Sequence, residues 1–185
     1  MEPFLEPLLR ELRIRKVIKK IPQNGMVCDV CCGGGTLLFR VSSKIGGGVG
    51  LDRKIENKKE NNILFKDIDL DEEIPEESGV FDCVTLLAAI EHLPNPGKIM
   101  CECFRILRSG GKILITTPSP VAKPILEFLS FGLGIVSPEH IKEHKYYFNE
   151  NDLISLCETA GFRKENIFIK RFQFWCNIFL ECVKQ

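Results

Sequence analysis

The sequence predicts an open, mostly parallel α/β sheet with helices on both faces. Three observations predict it. Residues 26–38, Met-Val-Cys-Asp-Val-Cys-Cys-Gly-Gly-Gly-Thr-Leu-Leu, run from an apolar stretch through three glycines into a helical pattern. Residues 81–117 give an apolar strand, an amphipathic helix and another apolar strand. Such alternation points to parallel strands joined by crossover helices. Two β-rich runs, 167–171 and 174–183, close the chain, and a hairpin there would insert an antiparallel strand into the sheet.

A length of 185 residues suits one domain with a full core. Hydrophobic content of 44% and charged content of 27% are ordinary for a globular chain. The formal net charge of zero argues against a protein that tracks nucleic-acid phosphates. Charged residues Glu2, Glu6, Arg10 and Glu11 interrupt any leader-like apolar region. Nine cysteines is an odd number without framework spacing, so a reduced, cytoplasmic setting is expected. Cys28, Cys83 and Cys182 lie in apolar runs and read as small buried hydrophobes. Cys28 and Cys31 have redox-dithiol spacing, but Cys28 belongs to a strand and points away from the turn, so packing is the expected role. Cys101-x-Cys103 has no second pair at zinc-ligand spacing, and no metal is expected.

The elements follow in order. Residues 4–20 carry Leu5, Leu8, Leu9, Leu12, Val17 and Ile18 at helical spacing, and Pro22, Asn24 and Gly25 end the pattern. This helix either covers a sheet face or forms a substrate-side flap. The first strand, Met26–Val30, ends in a glycine turn where backbone N–H groups can approach a ligand at a helix N-terminus. The following helix carries Leu37, Leu38, Val41 and Ile45, and Gly46-Gly47-Gly48 reads as its C-cap. Val49–Asp52 is a short second strand ending in an acid placed to accept ribose hydroxyls. Residues 56–62 read as a polar, solvated segment before a third strand at Ile63–Phe65. The fourth strand, Phe81–Leu87, is expected to pass into a helix near Ala88, setting Glu91 and His92 beside its carboxyl end, where open α/β sheets bind ligands. A helix over 97–107 leads into a fifth strand at 112–118. Residues 119–138 read as an insertion. Its apolar part, Val121–Val136, falls short of the roughly 20 residues that span a bilayer. Asn149 or Asn151 caps a last helix that ends at Ala160-Gly161-Phe162.

The order acid, x, small, x, Gly, x, Gly at Asp29, Cys31, Gly33 and Gly35 resembles the first motif of class I S-adenosylmethionine (SAM)-dependent methyltransferases. Cys31 stands where the family's usual first glycine stands, at a turn position where positive φ is costlier for Cys than for Gly. Phe81-Asp82-x-Val84 followed by Glu91-His92-Leu93 resembles a second family block, and Leu107-Arg108-Ser109-Gly110-Gly111 a third. The stretch from His144 to Phe162 is similar to a block in ubiquinone-biosynthesis-like and related small-molecule methyltransferases.

The resemblance covers about residues 25–183. It implies a Rossmann-like class I methyltransferase in one domain, 1–185, with an N-terminal helix within 1–24 and a lid or insertion at 119–148. It implies seven strands in the order 3-2-1-4-5-7-6, the last antiparallel. S-adenosyl-L-methionine would be the methyl donor and S-adenosyl-L-homocysteine (SAH) the product. Asp29 and the backbone of Cys31, Cys32, Gly33 and Gly35 would hold the methionine end, with the Leu87 carbonyl on its amino group. Asp52 would meet the ribose, Arg53 would belong to the same cofactor site, and Asp67 and Ile68 would meet the adenine. His92, His144 and His140 are candidates for a base, because histidine titrates near neutral pH, with Glu91 positional. The acceptor would be a small molecule, apolar or lipid-linked, with membrane-surface contact compatible. The stretch Leu87-Ala88-Ala89-Ile90 lacks the Asn-Pro-Pro-Tyr pattern of nucleic-acid-base methyltransferases. Two alternatives stand beside this reading. One is a SAM-binding protein without catalysis. The other is a NAD-dependent oxidoreductase, which Leu38 at the third fingerprint position disfavours.

Overall fold

The computed structural model describes residues 5–70, 73–132 and 145–185. In chain order it contains α1 (Glu6–Val17), β1 (Met26–Val30), α2 (Thr36–Val41), β2 (Gly47–Asp52), β3 (Lys58–Glu60), β4 (Ile63–Asp67), β5 (Phe81–Leu87), α3 (Pro96–Ile106) and β6 (Leu107–Pro118). Then come α4 (Ala122–Glu127), a π-helical turn (Phe128–Gly132), α5 (Glu150–Ala160), a 3₁₀ turn (Lys164–Asn166), β7 (Ile167–Phe172) and β8 (Asn177–Val183).

The strands form one sheet in the order β3-β4-β2-β1-β5-β6-β8-β7. Without β3 this is the expected order 3-2-1-4-5-7-6. The eighth strand is a correction. Residues 58–60, expected as a solvated segment, pair antiparallel with β4 at the sheet edge. They keep exposed charged side chains, which suits an edge. β8 runs antiparallel to β6 and to β7, as the expected hairpin requires.

Side chains alternate across the central strands and build two cores. Cys28, Val84, Ile113 and Ile115 pack on one face with Ile99, Met100 and Cys103 of α3 and Leu153 and Cys157 of α5. Val27, Cys83 and Leu114 pack on the other with Ile14 and Val17 of α1 and Leu37, Leu38 and Val41 of α2. α3 starts where Asn95 accepts the Lys98 N–H at 3.0 Å, with Pro96 in its first turn. α5 starts in a capping box between Asn149 and Asp152 and ends at Gly161, φ 108°.

Two local expectations are corrected. Gly47 and Gly48 lie inside β2, not in a cap, and α2 ends at Ser42 in right-handed conformation. A Cβ on Gly47 would come within 2.8 Å of the Met26 sulfur, and one on Gly50 within 2.7 Å of the Phe65 ring. The glycines therefore answer to close packing across the sheet rather than to helix termination. Nor does a helix begin near Ala88. That residue takes φ 51°, and residues 90–92 form a turn. The turn still carries Glu91 and His92 past the carboxyl end of β5.

Candidate active site

The glycine turn after β1 is held by its own backbone. Cys31, Gly33 and Gly35 take φ of 60°, 53° and 75°. Cys31 thus adopts the left-handed conformation in which a glycine would be unstrained. The Cys32 N–H donates to the Leu51 carbonyl at 3.1 Å, and the Gly35 N–H to the Cys32 carbonyl at 2.9 Å. A Cβ at Gly33 or Gly34 would meet nothing within 4 Å, so the turn presents open backbone.

That backbone faces a cavity of about 730 Å³ at the carboxyl end of the sheet, within the range of small-molecule sites. Six of the expected site residues line it: Asp29, Cys31, Cys32, Gly33, Leu87 and His92. Leu5 and, from α1, Leu9, Leu12 and Arg13 supply another part of the wall, while α4 and the turn after it contribute Ile125, Leu126 and Leu129. α1 therefore faces both the sheet and the cavity. Its C-terminal residues cover the sheet, and its N-terminal residues wall the cavity. The β7–β8 tip reaches the same space through Gln173 and Phe174. Its position follows from the pairing of Pro118 with Asn177 at the end of β6.

The other expected cofactor residues lie beside the cavity rather than in its wall. Asp52 accepts the Gly33 N–H at 2.6 Å and the Arg53 N–H at 2.7 Å. Asp67 accepts the Lys54 N–H at 2.8 Å. The Ile68 N–H donates to the Asp52 carbonyl at 2.9 Å, so it is engaged by backbone here. Gly35 caps α2 and packs against Phe65 and Phe39. His140 and His144 lie outside the described residues.

Two buried carboxyl groups sit inside the site. Asp29 is 4% exposed and accepts a hydrogen bond from the Thr85 hydroxyl. Burial pushes its pKa up to about 7, with the Thr85 bond opposing and the Asp52 charge adding to the rise. Glu91 is fully buried and accepts the Thr117 hydroxyl on Oε2 at 2.9 Å. Its pKa also stands at about 7, raised by burial against the Thr117 bond and the Arg13 charge. The Glu91 carbonyl accepts the Lys145 and Tyr146 N–H groups at 2.9 and 3.3 Å. Burial pushes the Cys28 and Cys31 thiols up, the reverse of what a reactive dithiol needs. All nine cysteines are free.

Sequence reasoning missed Arg13, Thr85 and Thr117, and understated Glu91. One signal was available. Arg13 follows Leu5, Leu9 and Leu12 on the same helical stripe, a charge placed among apolar residues.

A donor with a charged amino-acid end and a nucleoside end fits this site. Open glycine backbone and a buried carboxylate lie in the cavity, and strand-end acids border it. A family model described as a methyltransferase domain matches residues 3–167. The ubiquinone biosynthesis O-methyltransferase of Xanthomonas axonopodis pv. citri is 27% identical over 91% of this chain and 76% of its own length. A ubiquinone/menaquinone biosynthesis C-methyltransferase of Rhizobium johnstonii is 30% identical over 75% of this chain and 64% of its own. Among solved structures, a SAM-dependent methyltransferase of Mesorhizobium loti superposes with a TM-score of 0.69 over 98% of both chains, at 13% identity. The Haemonchus contortus phosphoethanolamine N-methyltransferase 2, solved with S-adenosylhomocysteine, superposes with a TM-score of 0.68 over 99% of this chain and 54% of that one, at 16% identity. The chain belongs to the methyltransferase-domain family, a SAM-dependent methyltransferase of the Rossmann-like class I fold.

Proposed function

We propose that this enzyme methylates a small molecule with a largely apolar body, in line with relatives named for ubiquinone biosynthesis. The observation that carries the reading is the composition of the cavity wall. Leu5, Leu9, Leu12, Ile125, Leu126 and Leu129 face the glycine turn across one space. Such a wall holds an apolar body, with the polar residues of the same lining left to orient it. Phe174 and Trp175, 93% and 67% exposed, extend the apolar surface beyond the cavity. A lipid-linked acceptor and contact with a membrane surface are compatible with that rim. Among the described residues no helix is long and apolar enough to cross a membrane.

Asp29 and the backbone of Cys31–Gly33 are assigned to the methionine end of the donor, with the Leu87 carbonyl on its amino group. Gly35 shapes the same turn. Asp52 is assigned to the ribose, Arg53 to the cofactor site beside it, and Asp67 and Ile68 to the adenine. For Ile68 this requires its N–H to leave the Asp52 carbonyl. The donor brings an already activated sulfonium methyl, so placing the acceptor supplies much of the rate. His92, in the cavity wall, is the candidate base among the described histidines. One domain with a lid that begins at 119 is part of the same proposal, supported by α4 in the cavity wall; of the segment expected as a lid, 119–148, residues 133–144 lie outside the described residues. The free thiols support a cytoplasmic setting.

The test is turnover of the full chain, followed as S-adenosylhomocysteine formed, across acceptors graded from alkylated phenols and quinols to polar amines. Turnover that rises with the apolar body supports the reading. Turnover confined to polar amines overturns it.

A further inference from the structure

Arg13 is a cation in the wall of the cavity. It sits on the cavity-facing stripe of α1 among Leu5, Leu9 and Leu12. Among the described residues its guanidinium makes no hydrogen bond and no ion pair, whereas Arg15, Arg40, Arg105, Arg108 and Arg171 are each paired with a carboxylate. Its surroundings still act on it. Burial lowers its pKa, and the charges of Glu91 and Glu6 raise it. It remains a cation throughout the physiological range. A half-buried guanidinium with no carboxylate partner, set among leucines, gains from a ligand that completes it.

Glu91 does not complete it. Its Oε2 is taken by the Thr117 hydroxyl, and its Oε1 is buried without a partner among the described residues. No ion pair links the two residues, although each lines the cavity and feels the other's charge. Other groups around Glu91 are Tyr147 and Cys31, whose pKa values its charge raises, and neighbouring His92. Arg10 and Glu6 flank Arg13 on α1.

We propose that Arg13 is the acceptor's anchor, taking an anionic oxygen group carried on an otherwise apolar acceptor, with Glu91 as the group whose ionisation opposes that binding. The proposal rests on the apolar-acceptor reading above and names the polar group that reading leaves unspecified. A protonated Glu91 leaves the guanidinium's charge to the incoming anion. An ionised Glu91 competes for that charge and repels the anion. Guanidinium and carboxylate geometry favour a two-pronged contact, which sets the head group while the leucines hold the body.

The experiment uses the full chain loaded with S-adenosylhomocysteine and calorimetric titration with two matched probes, para-propylbenzoate and neutral para-propylbenzamide. The benzoate is expected to bind roughly tenfold or more tightly than the amide below neutral pH. Arg13→Gln should erase that preference, and Arg13→Lys should keep part of it. Retained S-adenosylhomocysteine binding shows that each variant is folded. The benzoate's affinity should fall several-fold as pH rises through about 7 in the wild type, and Glu91→Gln should remove that pH dependence. The amide should show no such dependence in either protein. Equal binding of the two probes, or a preference that survives Arg13→Gln, overturns the anchor. A pH dependence unchanged in Glu91→Gln overturns the role of Glu91. Binding of neither probe to the loaded protein overturns the apolar-acceptor reading itself, and the anchor with it.

Discussion

The Gly33 N–H donates to Asp52 Oδ2 at 2.6 Å, tying the glycine turn after β1 to the end of β2. The two strands are parallel neighbours in register, with Val30 beside Leu51. Their carboxyl ends, and therefore the turn and the acid, are delivered to the same place. The acid assigned to the ribose is thus also a clamp on the turn assigned to the methionine end.

Donor binding should register both roles of Asp52. SAM or its product at about 100 times its dissociation constant should stabilise the chain by roughly 2.7 kcal/mol. For a chain of this size that is a melting shift of roughly 5 to 11 °C. Asp52→Ala should lose most of the shift while the unliganded protein stays folded. Asp52→Asn keeps an acceptor for the Gly33 N–H and should retain more of it. Thermal melts with SAM, SAH and NAD check this. An unchanged shift in Asp52→Ala removes the ribose assignment, and a shift with NAD alone removes the donor assignment.

The parts of this site that could be read from the chain are those set by near neighbours. Asp29, the glycines and Asp52 follow from strand, turn and strand in sequence, so their convergence was expected. Arg13 and Glu91 line one cavity only because α1 and the turn after β5 border the same space, a proximity no local pattern contains. The glycines of β2 show the same limit from the other side. Read locally, Gly46-Gly47-Gly48 ends a helix. In the fold Met26, Leu38 and Ile45 crowd Gly47 and Gly48, and side-chain space decides the residue type. Ala88 likewise broke the expected helix, because its N–H donates to the Thr116 carbonyl at 2.7 Å and the chain turns there.

Stability should rise as pH falls from about 8 toward 5. Asp29 and Glu91 carry folded pKa values of about 7, against ordinary values of 3.8 and 4.5. Between those limits the folded state holds more protons than the unfolded state, so stability drops with rising pH. The contribution is fully present below the ordinary values and is lost through about 7. The size is on the order of a few kcal/mol for each group. Glu11, Glu102, Glu150 and Glu181 have lowered pKa values, so their losses come in more acidic solution, outside this window. Denaturant melts at several pH values check the slope. Glu91→Gln should flatten it, and the same slope in that variant would show that Glu91 ionises as it does in water.

Gly50 should be intolerant of even one methyl group. A Cβ there would lie 2.7 Å from the Phe65 ring and 2.9 Å from the Cys32 sulfur. Phe65 is buried and packs against Phe39 at 5.4 Å between ring centres, so it has little room to move. Gly50→Ala should cost about 1–3 kcal/mol and weaken SAH binding by shifting Cys32 in the turn. Gly97→Ala is the control. Its nearest neighbour would be 3.7 Å away in the first turn of α3, and Ala favours helix. Equal stability of the two variants would show that β2 and β4 adjust freely.

The segment over the cavity should close on its ligands. α4 is six residues long and passes directly into a π-helical turn, a form that recurs at functional sites. Ala122 and Ser130 are buried, whereas Val121, Ile125 and Phe128 are 46%, 44% and 63% exposed. Ile125 also lines the cavity, so an acceptor in that space would cover apolar surface that now meets water. Such a short helix, fastened at Ala122 through its N–H to the Ser119 carbonyl at 2.9 Å, has little of its own to resist opening. Hydrogen exchange across residues 121–132 should therefore be fast in the free chain. SAH with an apolar acceptor analogue should slow it more than SAH alone, because the analogue, not the donor, meets Ile125 and Leu129. Protection in the free chain equal to that of β5 would make the segment part of the core. Slowing by SAH alone, with no further effect of the analogue, would assign α4 to the donor rather than to the acceptor.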